Sequence, residues 1–490
     1  MLQNNMAVGE LIAVMKQLDN GVIDDHMALQ AVDNLLRSQE HEGYCDHSKL
    51  FRVWKEYFQN PTIQARVIME RLGLDLHELI EIQRSIQKTT LFSDAWRNLL
   101  YPRSLLIHYG YQLASYLSDN PQFLSSVISG DRVCVYMLEI HPTKGACIYK
   151  CKMCLWSGGG VLTAKQIRDG ANANLISKEG WIGILNDAKR LGVERIIISG
   201  GGETLLGEEK FRHVTEAAIR LGIKTMIYTN GRLLLSLSEK TIKTLMRADW
   251  LRVSMHAATK EVYAQLVNRP LHCNDFEIVL KGMRRLIAFR EKVGSSLRIG
   301  MGAVIQELNY AHIPLLAQLG EHLRIDFLDI RGDCIGISKA LSSLQSELML
   351  KDICDVRDRS VRDELPFRLT IADDLLLQAD RWKKMRLTLP KRCWIPFLRP
   401  AIDPYGMVCA CDSIGEPFTR ASSPDAYIFG SCQKSPLQEL LGLALHKPLG
   451  LWCKHCMPGQ ITLNALFEKI VADFQLGILP SDQPFFHPRQ

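Results

Sequence analysis

Three cysteines on one short stretch, Cys147-Ile-Tyr-Lys-Cys151-Lys-Met-Cys154, follow the apolar, strand-like run Val133 to Ile140. Iron–sulfur clusters are built on cysteine thiolate, and three such donors on one loop can each hold a different iron of a four-iron, four-sulfur cubane. The fourth iron is then open to a small bidentate ligand. A zinc knuckle is the competing use of such a loop, but structural zinc wants a fourth protein ligand in a closed tetrahedral site. A second group, Cys393, Cys409, Cys411, Cys432, Cys453 and Cys456, lies far downstream, while Cys45, Cys134, Cys273, Cys334 and Cys354 are scattered and read as small buried apolar residues. The start, Met1-Leu-Gln-Asn-Asn-Met, lacks the basic and apolar segments of a secretory signal, so fourteen cysteines point to metal or redox chemistry in a reducing compartment. The expected location is the cytoplasm.

The elements that must position these groups follow from length and periodicity. A chain of 490 residues exceeds the roughly 250 to 300 at which one core stops growing, so more than one domain is expected. The net charge of +6 is spread without a basic block, which argues against a nucleic-acid partner. No apolar run reaches the ~18 residues that would suggest a membrane span. Residues 1–130 read as helices, with apolar spacings of three and four in Val8 to Met15, His26 to Leu36, Ala65 to Leu72, Leu76 to Gln87, Phe92 to Leu100 and Ser104 to Leu117.

From Val133 short strands alternate with amphipathic helices, the rhythm of a parallel βα array. The strands are Val133 to Ile140, Arg195 to Ser199, Lys224 to Thr229, Trp250 to Met255, Leu297 to Val304 and Asp326 to Arg331. Six units are too few for an eight-stranded barrel, so the expected fold class is α/β, a partial six-unit βα barrel over 131–335. The helical domain at 1–130 precedes it. A helical, charged linker is expected at 336–392, a small cysteine-rich domain at 393–470 and a tail at 471–490.

The spacing of Cys147, Cys151 and Cys154 resembles the signature of radical S-adenosylmethionine (SAM) enzymes, and the motifs at the strand ends extend the resemblance over ~133 to ~334. Ser199-Gly200-Gly201-Gly202-Glu203-Thr204 is similar to the family's glycine-glycine-glutamate motif, with Thr204 where the family usually has proline. The resemblance implies a 4Fe-4S cluster, S-adenosyl-L-methionine as cofactor, and an external one-electron donor such as flavodoxin or ferredoxin. It places Gly201, Gly202 and Glu203 near the methionine, Thr229 and Asn230 at the third strand end, Ser254 near the ribose, and Ile305 and Asn309 at the adenine and methionine. His256 is either ligand-facing or a hydrogen-bonded histidine at the barrel mouth. Arg331 and Asp333 are candidates for substrate binding or proton transfer, with a salt-bridged strand end as the alternative.

Downstream, Cys393-Trp-Ile-Pro396, then Ile402 to Gly406, then Cys409-Ala-Cys411, read as an extended stretch, a glycine turn and a second strand, followed by a helix from Pro436 to Leu445 and Cys453-Lys-His-Cys456. The order resembles the SPASM and twitch domains of the superfamily, which implies a second, auxiliary 4Fe-4S cluster on Cys393, Cys409 or Cys411, Cys453 and Cys456. Structural zinc is the alternative. The expected reaction is hydrogen abstraction by a 5′-deoxyadenosyl radical from a small-molecule substrate: a sugar, aminocyclitol or nucleotide-sugar in natural-product biosynthesis, undergoing dehydrogenation, dehydration or deamination. The second expectation is a maturase acting on a ribosomally made precursor peptide.

Overall fold

The computed structural model describes residues 22–38, 46–60, 63–89, 113–143, 147–154, 176–200, 202–333, 341–362, 364–371, 392–412, 427–446 and 458–483, with 7, 10–11, 13–15, 17–18 and 92. They form two compact units.

The first unit joins described residues of Met1–Ile128 and Gly459–Gln490. Its helices include Asp25–Ser38, His47–Gln59, Ala65–Leu72 and Leu76–Lys88, packed around Phe51, Trp54, Tyr57 and Ile82. Sequence explains the helix starts. Asp24 accepts from Met27 N–H at 2.8 Å, and Asp75 and Glu78 form a reciprocal capping box at the fourth helix. The C-terminal helix Pro458–Gln475 runs across 470–471, where the sequence suggested an auxiliary domain giving way to a tail. It belongs to the helical unit instead. Its Asp473 accepts the Ala65 backbone N–H at 2.8 Å and the Lys469 ammonium at 2.5 Å, and both charged side chains are fully buried.

The second unit covers described residues of Ser129–Ala379 and Arg392–Pro458. Its strands in chain order are β1 (Met137–Ile140), β2 (Arg195–Ile198), β3 (Lys224–Thr229), β4 (Trp250–Ser254), β5 (Arg298–Ile305), β6 (Phe327–Gly332), β7 (Arg368–Ile371), β8 (Ala401–Ile402), β9 (Met407–Cys409) and β10 (Ile428–Ser431). They make one ten-stranded sheet ordered β10-β9-β8-β1-β2-β3-β4-β5-β6-β7. Strands β1 to β7 are parallel neighbours in sequence order. Helices such as Lys178–Arg190, Glu208–Arg220 and Asp275–Val293 make the crossovers that parallel pairing requires.

The sheet differs from the expected six-unit array at both edges. Arg368–Ile371, expected within a helical linker, is β7, a four-residue strand too short for its alternation to stand out. On the other side, β8 pairs in parallel with β1, Glu139 opposite Ala401, and turns through Gly406 (φ +86°) into antiparallel β9. The first part of the cysteine-rich region is therefore continuous with the barrel sheet. Cys393 to Pro396, expected to be extended, leads into the short helix Ile395–Leu398, whose Pro396 suits a first turn.

Candidate active site at the carboxyl ends of β1 to β6

Cys147, Cys151 and Cys154 lie on the loop after β1. Two backbone bonds fasten this loop to the end of the helix Lys260–Leu266, from Lys150 N–H to Val267 O (3.1 Å) and from Lys152 N–H to Leu266 O (3.4 Å). The ring of Tyr149 meets Tyr263 of that helix edge-on. Burial, then the Glu203 carboxylate, pushes the Cys147 thiol up to about 12, and burial with the two neighbouring cysteines pushes Cys151 well above its ordinary value. A metal or cluster held by these thiols would displace their protons. The Cys147 sulfur already accepts two N–H groups, from Tyr149 backbone and Asn230 Nδ2, each at 3.4 Å.

This donor set fits a cubane. Among the described residues no three His, Cys, Asp or Glu side chains gather as ligands of one metal ion, and three thiolates that hold separate iron corners have no need to meet at one point. The N–H groups aimed at sulfur are the contacts by which a protein tunes such a cluster.

The Gly-rich segment follows β2. Gly200 and Gly202 have φ of +57° and +110°, and a Cβ on Gly200 would stand 2.5 Å from the His141 ring. Glycine is required there by conformation and by space. Gly201 lies outside the described residues. Glu203 is 3% exposed, and its carboxylate accepts Leu205 N–H (3.1 Å), Thr229 Oγ1–H (2.5 Å) and Asn230 N–H (2.8 Å). Burial lifts its pKa, and these three donors oppose the shift. Glu203, Thr229 and Asn230, all expected at the cofactor, thus form one hydrogen-bonded frame that reaches Cys147.

At the β4 and β5 ends, Asn309 is fully buried, with its amide donating to His256 O (2.5 Å) and Val304 O (2.9 Å) and accepting Gln306 N–H (2.6 Å). All of this goes to backbone, so Asn309 shapes the loop. Ile305 is 2% exposed and sits in the core at the end of β5. His256 Nδ1 accepts Val304 N–H at 3.2 Å, which leaves Nε2 to carry the proton. Burial, followed by the guanidiniums of Arg331 and Arg252, holds its pKa down at about 3. His256 is a neutral hydrogen-bond donor near pH 7, with no basic nitrogen to spare.

Side chains alternate across a sheet. On one face Leu251, Val253, Met301, Ala303, Leu328 and Ile330 are 0–1% exposed. The other face is the open, inner one. It presents Arg252 and Ser254 on β4, Asp329 and exposed Arg331 on β6, and Glu139 on β1. Glu139 is buried at 4% exposure and accepts Arg399 Nε at 2.9 Å and the Ser199 hydroxyl, with His141 Nε2 at 3.5 Å. Burial alone would raise its pKa, but Arg399, His141 and Ser199 hold it well below the carboxylate range. Arg399 also reaches Asp412, 3.4 Å away, the residue after Cys411. Asp333 is 7% exposed, 3.5 Å from Gln306 Nε2.

Cys409 is buried in the ladder between β8 and β10, and buried Cys411 follows two residues later. Cys393 stands just before the helix Ile395–Leu398. Cys453 and Cys456 lie outside the described residues, as does Cys334. Glu139, Arg252, Arg399 and Asp412 were not among the site residues expected from the sequence. Alternation was the available signal for Arg252, two residues before Ser254; for the others none existed, because their partners are remote in sequence.

Residues 142–303 match the radical SAM superfamily. No curated protein matches the chain. Among solved structures, Streptococcus suis SuiB bound to S-adenosylmethionine is similar at 18% identity over 61% of this chain and 64% of SuiB, TM-score 0.45. The anSMEcpe protein with bound AdoMet is similar at 18% identity over 62% of this chain and 77% of that one, TM-score 0.45. The chain thus spans 64% of the length of SuiB, less than two thirds.

Proposed function

We propose that this chain, of which residues 142–303 match the radical SAM superfamily, is an enzyme that uses SAM and a 4Fe-4S cluster, that Cys147, Cys151 and Cys154 hold that cluster, and that the substrate is a peptide. The observation that carries the site assignment is the frame linking Glu203, Asn230 and Cys147. It ties the cluster loop to the glycine-rich segment, which presents backbone groups to a ligand. When bound, the cluster and SAM supply a 5′-deoxyadenosyl radical that abstracts hydrogen. The chain's own residues orient the substrate on the inner face and exclude water from the site.

Charge bears on the substrate class: the inner face carries Arg252, Arg331, Arg368 and Arg399 beside the acids Asp329 and Glu139, so a peptide that brings a carboxylate finds cations there. A nucleotide-sugar is the second reading, since its diphosphate meets the same requirement. SuiB with precursor peptide SuiA and anSMEcpe with a Kp18Cys peptide are among the similar structures.

We further propose an auxiliary cluster on Cys393, Cys411 or Cys409, Cys453 and Cys456, supported by the continuity of β8 and β9 with β1. Anaerobic reconstitution with iron, sulfide and zinc counting tests both assignments. About eight irons in the wild type and about four in a Cys147/Cys151/Cys154 triple alanine variant establish two clusters. Formation of 5′-deoxyadenosine by that variant overturns the site assignment.

A further inference from the structure

Strand β5 has glycines at both inner positions where its neighbours come together, Gly300 and Gly302. A Cβ on Gly302 would lie 2.8 Å from Cδ of Arg252, so the missing side chain on β5 leaves the room that the Arg252 side chain of β4 occupies. The guanidinium stacks on the Tyr228 ring, 3.7 Å from its centroid. Among the described residues Arg252 forms no ion pair within 4 Å and its buried Nε has no acceptor. Asp329 feels the charge of Arg252, Arg368 and Arg331, but hydrogen-bonds to Thr370. Stacking on an aromatic ring returns about 0.5–2 kcal/mol, and Arg252 in turn favours the ionised form of Asp329.

Two further groups stand beside it. Arg252 and Arg331 stand on the same face of the sheet by register, and His256 is tied to Val304, the residue opposite Arg331; both guanidiniums disfavour a charge on the His256 ring. The acceptor role of His256 Nδ1 fixes its proton on Nε2. Arg252 stands two residues before the carboxyl end of β4, His256 two residues beyond it, and Arg331 of β6 is in register with Val304, so the two cations and the neutral N–H donor follow one another along the inner face towards the strand ends.

We propose that Arg252, with Arg331 and the Nε2–H of His256, is the carboxylate-binding end of the substrate cavity, and that the substrate is anchored there by an acidic side chain or a C-terminal carboxylate. The planar guanidinium fork matches a carboxylate in two parallel hydrogen bonds. Tyr228 fixes the plane of the fork before the ligand arrives, which lowers the ordering cost of binding. Asp329 limits how much positive charge the empty cavity must carry. The inference rests on the radical SAM reading only in taking the inner face for the substrate side.

The test measures binding without turnover, so it is independent of 5′-deoxyadenosine formation. SAM-loaded protein is titrated with acetyl-Gly-Glu-Gly-amide, its Gln counterpart, acetyl-Gly-Gly-Gly with a free C-terminus, and inorganic diphosphate, followed by ligand-observed NMR. The Glu peptide or the free C-terminus is expected to bind about tenfold or more tighter than the neutral Gln peptide. Which of the two does so identifies the source of the carboxylate. Arg252→Gln should abolish the discrimination and Arg252→Lys should restore part of it, while Asp329→Asn should tighten carboxylate binding. The last two variants decide the matter if Arg252→Gln fails to fold. Equal binding of neutral and acidic peptides to wild type, discrimination that survives Arg252→Gln, or Arg252-dependent binding of diphosphate alone would each overturn the proposal.

Discussion

Asn230 donates its side-chain N–H to the sulfur of Cys147 at 3.4 Å and its backbone N–H to the Glu203 carboxylate at 2.8 Å. One residue at the end of β3 therefore joins the cysteine loop to the glutamate after β2. Hydrogen bonds to a cluster-bound thiolate stabilise the electron-rich reduced state, so they raise the reduction potential. Asn230→Ala should shift the potential of the cluster proposed on Cys147, Cys151 and Cys154 to more negative values, read by an EPR-monitored redox titration. An unchanged potential with intact iron content means that the contact to Cys147 does not act on the cluster.

His256 provides a test by pH. Its folded pKa of about 3 lies below the ordinary 6.5, so burial favours the neutral ring. Above about pH 6.5 neither state binds the proton and the residue contributes no slope. As pH falls from 6.5 towards 3 the unfolded chain takes up a proton that the folded chain refuses, and stability drops by up to about 1.4 kcal/mol per pH unit. His256→Gln should remove that part of the acid sensitivity. Urea midpoints of both proteins at pH 7.5 and 5 check it, and equal losses would contradict the depressed value. No limb of the pH–rate profile near neutrality should belong to His256.

The Glu139–Arg399 pair makes a prediction about stability. Arg399→Met leaves Glu139 buried without its main counterion, at an expected cost of about 3–5 kcal/mol. The double variant Glu139→Gln/Arg399→Met should recover much of this. Denaturant melts of the single and double variants measure the coupling, and additive losses would show that the ion pair does not hold β1 to the segment before β8.

In the helical unit, Lys469 and Asp473 are both 0% exposed, and Lys469 Nζ sits 5.1 Å from the centroid of the Tyr57 ring. Lys469→Met strands the Asp473 carboxylate, again at about 3–5 kcal/mol. The loss should be read in thermal melts, and helices of 47–88 should exchange amide hydrogen faster than in wild type. Unaltered exchange there would deny the C-terminal helix its role in that core.

How far the sequence carried these conclusions depends on the range of each interaction. Strand β3, Lys224–Thr229, was legible to the residue because its alternation runs for six residues and ends in Asn-Gly. The triad and the glycine-rich segment were legible for a similar reason, since chemistry concentrated on short loops leaves short-range spacing. β7 was hidden by its length, and the helix Lys260–Leu266, which steadies the cysteine loop, is only seven residues. Glu139 lies within a run that reads as an apolar strand. Its meaning lies in Arg399, and no local pattern announces a partner that distant. The assignment of the C-terminal helix failed similarly: its apolar face fits helices at the other end of the chain.

The separation between Glu139 and Arg399, 260 residues of chain, also bears on how the molecule is made. At a synthesis rate of about 5–20 residues per second, Arg399 is added roughly 13–50 s after Glu139. During that interval β1 can align with β2, but its other edge has no β8, and the carboxylate has no cation. A nascent chain therefore displays a bare strand edge bearing an uncompensated acid. That acid is a safeguard, because a charge on an open edge discourages pairing with a neighbouring chain until the proper strand arrives.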